Sequence, residues 1–148
     1  MIKPTDGAAK TDEKDDGKIL TGKQVKATMY PINNKELEHE KAKSFIIMEI
    51  IEYVPNSVVI KTIIKKTTGN VTVSSFDTGE ALTEKTSPFD TFIQVIDGKA
   101  QIFIDGNSNL LNTGDSIIIP AHSRNIIKAN ERFKIISTII KSGYDEVN

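Results

Sequence analysis

Apolar and polar positions fall into three regimes along the chain. Residues 1–24 are polar, mixed in charge and poor in apolar side chains. Such a segment buries too little surface to offset the entropy of ordering it, so a flexible N-terminal tail is expected there. Residues 25–57 form an N-terminal extension of different texture. NNKELEHEKAKSF is rich in helix formers, and Asn33 followed by Glu36 resembles an N-terminal capping arrangement. In FIIMEIIEYV a helical period would gather Ile46, Ile47, Ile50, Ile51 and Val54 on one face, with Glu49 and Glu52 turned away. A buried strand would satisfy the same apolar run, but a short helix is the expectation, and its apolar face needs cover from the domain or from a partner subunit.

After Pro55 the pattern changes to short β segments separated by turn signals. SVVIKTIIK and NVTVSSFD are rich in β-branched residues, with Thr67-Thr68-Gly69-Asn70 supplying a turn between them. TFIQVI and KAQIFI flank Asp97-Gly98, and Asp105-Gly106 repeats the signal eight residues later. NLLN, DSIIIP, NIIKA and FKIISTII follow, broken by Thr113-Gly114, AHSR and NER. Eight or more strands at this spacing predict a closed or sandwiched antiparallel β domain over residues 58–148.

Composition narrows the function classes. At 148 residues and 38% hydrophobic, the chain suits one compact domain with a real core. A formal net charge of -1 gives no general attraction to nucleic acid or to an anionic membrane. Cysteine is absent, which removes disulfides, thiolate zinc sites and cysteine nucleophiles. It also suits a reducing cytoplasm, the expected location. No apolar run reaches the roughly 18 residues of a membrane span, and the first residues carry no secretory signal. Neither a phosphate-binding loop nor a glycine-rich dinucleotide turn is present.

GEALTEKTSPFDTFIQVIDGKAQIFIDG, followed by LNTGDSIIIPAHSRNIIKA, resembles the two sequence motifs of the small single-domain cupins. Gly79 opens the first motif, Pro88-Phe89-Asp90 sits in its middle and Gly98 closes it. In the second, Gly114-Asp115 precedes Ile119-Pro120-Ala121 by five residues. The likeness spans about Val58 to Lys141. It implies an all-β double-stranded β-helix, the cupin jelly roll, preceded by a short helical or extended segment and commonly assembled as a homodimer.

The resemblance also implies a metal site of three histidines and a glutamate. Carried over position by position, the histidines become Lys85, Ser87 and Asn125, and the glutamate becomes Phe92. A lysine ammonium and a phenyl ring have no lone pair to offer, and neutral serine and asparagine oxygens are weak ligands for transition metals. No metal, no cofactor and no catalytic residue is therefore expected. His122 follows Pro120-Ala121 at a turn, where histidine tolerates a left-handed backbone, and His39 lies in the charged stretch ELEHEK on an expected solvated helix face.

Two functional readings follow from different classes. In the first, Lys85, Ser87, Gln94 and Asn125 rim a pocket floored by Phe92, Phe103 and Ile119, and the barrel binds a small polar or anionic molecule. Each polar member has a plainer role: a solvated lysine at the mouth, or ordinary hydrogen bonding of Ser87 and Asn125 to loop backbone. In the second reading Phe92 fills the barrel, and the chain is a structural or interaction module acting through a dimer face.

Overall fold

The structure is a computed structural model that describes residues 17–21 and 38–144; for Gly17–Thr21, Glu84 and Lys85 only the backbone is described. Among the described residues ten strands follow one another: β1 (Gly17–Thr21), β2 (Ser57–Lys66), β3 (Gly69–Phe76), β4 (Ala81–Lys85), β5 (Thr91–Gly98), β6 (Ala100–Ile104), β7 (Asn107–Leu111), β8 (Ser116–Ile119), β9 (Asn125–Lys128) and β10 (Phe133–Ile140). They form a six-stranded sheet in the order β1-β2-β3-β10-β5-β8 and a four-stranded sheet in the order β4-β9-β6-β7. Every pairing is antiparallel.

The turn chemistry explains why the strands reverse where they do. Asp105 and Gly106 both have positive φ, at 48° and 85°, the pair of angles that a two-residue hairpin needs. Gly98 has φ 82°, and a Cβ there would run into the Arg132 carbonyl, so both torsion and space require glycine.

The main core lies between the sheets. Phe76 and Phe133 stack with ring centroids 4.5 Å apart at one end, joined by Ile93, Val95, Ala100, Ile102 and Ile135. A second core lies on the outer face of the six-stranded sheet. There Val59, Ile63 and Val73 pack with Ile51, flanked by Ile47, Ile50, Val54, Val71 and Ile96.

The segment that covers this outer face corrects the expected helix. Within FIIMEIIEYV only Ile47–Glu49 is helical, as a single 3-10 turn. The physical reason is that the sheet takes the carbonyls an α-helix would have used. Lys134 Nζ donates to the Met48 carbonyl at 2.8 Å, Lys61 Nζ to that of Ile50 at 3.3 Å, and Ser75 Oγ to that of Glu52 at 2.9 Å. Tyr53 Oη donates to Asp97 at 2.7 Å, with the Arg132 guanidinium 4.5 Å and Lys134 Nζ 4.9 Å from its ring centroid. Residues 45–56 are thus a strap pinned across the sheet by their own chain. Of the apolar face expected to need cover, Ile47, Ile50, Ile51 and Val54 find it there, whereas Ile46 stays 61% exposed.

Two further boundaries change. Gly17–Thr21, expected within the flexible tail, form an edge strand paired residue by residue with Ser57–Lys61. The large sheet therefore draws on residues upstream of 58. The Asn33–Glu36 capping pattern lies outside the described residues. Ala81–Lys85, not expected as a strand, pairs with β9.

Candidate functional site at the barrel mouth

Strand alternation decides which side chains enter the barrel. Along β5, Ile93 and Val95 are buried in the central core, so Thr91 shares their face while Phe92, Gln94 and Ile96 point outward. Phe92 is 42% exposed and lies between Ile118 and Thr138 on the neighbouring strands. It does not floor a pocket. Gln94, opposite Ser116 and Ile136, is on that same outer face. Along β6, Ala100, Ile102 and Ile104 belong to the core, so Phe103 faces outward on the opposite sheet, beside Ile126. Ile119 alone among the three expected floor residues is buried in the core.

The remaining expected rim residues meet at one end of the barrel. Asn125 is half-buried, on the inward face with Ile127, and its backbone pairs with both Lys85 and Ile104. Ser87 is in the loop between β4 and β5, where its Oγ accepts a hydrogen bond from the Phe89 amide at 3.1 Å. That is the plainer loop-backbone role. His122 has φ 68°, as its turn position suggested, and its amide donates to the Ser87 carbonyl at 2.6 Å. Asp90 accepts from the Ala121 amide at 2.8 Å, and the Asp90 amide donates to Tyr144 Oη at 2.7 Å. The loops 86–90 and 120–124 are therefore tied together beside the mouth. His39 is not on a helix; its amide donates to the Ile63 carbonyl at 3.0 Å and its ring stands 4.1 Å from that of Phe45.

The inner face of the large sheet holds residues that the sequence did not single out. Thr62, Thr72 and Ser137 stand side by side across β2, β3 and β10, in register with inward-facing Ile93. One row deeper, Ser74 lies between Ile60 and Ile135 and is only 5% exposed. One row nearer the opening are Asn70 and Thr91, on either side of Ile139. Five residues connect Lys85 to Thr91, and five connect Ile119 to Asn125, so this end of the large sheet and the Asn125 end of the small one share the same mouth. No described residue hydrogen-bonds the side chains of Thr62, Thr72, Ser74, Thr91 or Ser137. Cross-strand neighbours stand about 5 Å apart, close enough for several hydroxyls to converge on one small molecule.

The signal that could have found them is the alternation in NVTVSSF. Read by hydrophobicity, Val71 and Val73 would face the barrel and Thr72 and Ser74 would face solvent. The strap reverses this, because it gives the valines a second core.

The donors at the mouth do not suit a transition ion. Ser87 and Asn125 offer neutral oxygen or amide groups, and Phe92 is turned away. Among the described residues no group of three His, Cys, Asp or Glu side chains is placed to hold a metal. No described helix is long and apolar enough to cross a membrane.

Solved structures match this architecture. A conserved protein of unknown function from Streptococcus pyogenes aligns at a TM-score of 0.68 and 25% identity, over 78% of this chain and 98% of that one. A cupin 2 conserved barrel domain protein from Leptotrichia buccalis aligns at 0.64 and 28%, over 66% of this chain. This is a small cupin-fold protein. A cupin superfamily protein from Desulfitobacterium hafniense shares the fold at a TM-score of 0.66 and 23% identity, over 70% of this chain and 94% of that one. Against the Leptotrichia protein the cupin barrel described here spans about half the length, 47%. No family model matches the chain, and no curated protein sequence matches it.

Proposed function

We propose that the chain is a metal-free cytoplasmic cupin with a degenerate metal site, which binds a small polar molecule at the mouth of its barrel without catalysing a reaction. The observation that carries this is the inward-facing row of Thr62, Thr72 and Ser137 over the buried Ser74 hydroxyl, which has no partner among the described residues. Buried polar groups normally find partners, and a ligand reaching into the mouth would supply them. Amide-resolved NMR titration with a mixture of polar metabolites tests it, beside elemental analysis of the purified protein. Shifts confined to residues 62, 72, 74 and 137 support the reading. Stoichiometric transition metal, or ligand shifts only on the strap, would sink it.

A second reading rests on a different observation. Ile118, Phe92 and Ile140, exposed at 60%, 42% and 56%, lie on strands of the large sheet beyond the strap. In this reading the chain is an interaction module, and a second copy of itself covers these residues as a homodimer. Sedimentation velocity decides: a monomer at micromolar concentration removes this reading and leaves the first standing.

A further inference from the structure

We infer that the ligand at the mouth is neutral and hydroxyl-rich, a sugar or polyol rather than an organic anion; this rests on the mouth being the binding site. Among the described side chains, the inner rows of the large sheet contain two kinds of polar group. Thr62, Thr72, Ser74, Thr91 and Ser137 contribute hydroxyls, and Asn70 a carboxamide, none of which carries charge. Asn125 adds a second carboxamide from the opposite sheet.

Each hydroxyl both donates and accepts, and each carboxamide has an acceptor oxygen and a donor nitrogen. A polyol presents the same two capacities at every carbon, so donors and acceptors on both sides can be matched as the ligand turns. A carboxylate or phosphate only accepts. Held among these side chains, it would leave their acceptor capacity unused and surrender its hydration without a compensating charge. The apolar neighbour in the outermost row, half-buried Ile139, offers flat surface to the C–H face of a sugar ring.

The described cationic side chain in register with these rows is that of Lys65, opposite Asn70; Lys85, of which the backbone alone is described, pairs with Asn125 at the same mouth. Lys65 is exposed at the open edge and competes with solvent, so any pull it exerts on an anion acts outside the desolvated rows. The buried position of Ser74 adds a specific demand. A ligand atom reaching one row below Thr62 and Thr72 would give the Ser74 hydroxyl, 5% exposed, the partner it lacks among the described residues.

Isothermal titration and thermal melts with matched pairs separate the classes: glucose, mannitol and a set of neutral disaccharides against gluconate, glucuronate and citrate. Neutral compounds are expected to bind and to raise the melting temperature, with the acids no tighter. Thr72→Val, which keeps the side-chain shape, and Ser137→Ala are each expected to weaken that binding about tenfold, the loss of one hydrogen bond. Acids that bind more tightly than their neutral counterparts, with the same sensitivity to Thr72→Val, would overturn the neutral class while leaving the mouth as the site. Binding indifferent to both variants, or no binding by either series, would overturn the ligand class and the site together.

Discussion

Ser74 and Ser75 are consecutive, both buried, and opposite in what they do. Ser75, fully buried, faces the strap and donates to the Glu52 carbonyl at 2.9 Å. Ser74, 5% exposed, faces the barrel and has no hydrogen-bond partner among the described residues. The contrast extends to the two faces of the large sheet. On the strap side, the polar groups of Lys61, Ser75, Asp97 and Lys134 are all engaged with one peptide segment. On the mouth side, the hydroxyls of one contiguous row have no hydrogen-bond partner among the described residues. A buried polar group that is satisfied explains structure; the hydroxyls that are not are the ones the proposed ligand would pair.

The core that both faces share sets the upper limit of any perturbation. Phe133→Ala, which removes half of the stacked pair at the closed end, is expected to cost about 3–5 kcal/mol in urea unfolding. A cost below about 1 kcal/mol would mean that the sheets do not depend on that stack.

The two serines then separate the faces directly. Ser75→Ala should lose about 1–3 kcal/mol, because the Glu52 carbonyl is left unpaired, whereas Ser74→Ala should stay within about 0.5 kcal/mol or stabilise. Equal losses would erase the distinction between pinned and free polar groups.

Tyr53 probes the strap by pH. Burial and the Asp97 carboxylate raise its pKa well above the usual tyrosine range. A raised value in the folded state gives stability that is complete below the unfolded pKa and declines as pH rises past it, so melts of the wild type should fall above about pH 10. Tyr53→Phe should cost about 1.5 kcal/mol at neutral pH and flatten that alkaline decline. An unchanged alkaline limb would detach the strap from this bond.

At the acid end the sign reverses. Lys41 and the Lys65 amide hold the Glu38 carboxylate down to about 2, and the Asn56 amide with Arg132 lowers Asp77. Depressed carboxylates give stability that is present above their unfolded pKa, near 4.5 for Glu38, and lost as pH falls toward 2. Glu38→Gln should make the melt less sensitive between these limits, a small effect because its partners are exposed lysines.

The smallest expected effect belongs to Phe92. Exposed and outward, Phe92→Ser should change monomer stability by no more than about 0.5 kcal/mol. A loss of several kcal/mol would return it to the interior.

Phe92, expected as a pocket floor and found outward, shows how far the sequence was legible. The strands from β2 onward, except β4, were visible as runs of β-branched residues between turn dipeptides, because a pleated backbone imposes a period of two and a hairpin demands positive φ at Asp105 and Gly106. The turn role of His122 was legible through motif spacing. Phe92 was not, since a shift of one residue along β5 exchanges inside for outside, and Thr91 is the inward neighbour. Phe103 failed for the same reason on the other sheet.

The sequence by itself determined that the chain alternates and where it turns, since these follow from local torsion and short-range pattern, while its resemblance to the cupin motifs implied the cupin barrel. Only the tertiary structure decided which face of each strand is the interior. Val71 and Val73 face the strap and Thr72 and Ser74 the barrel because residues 45–56 fold back to cover the valines. Alternation names two faces; the segment that covers one of them, from some twenty residues away, chooses between them.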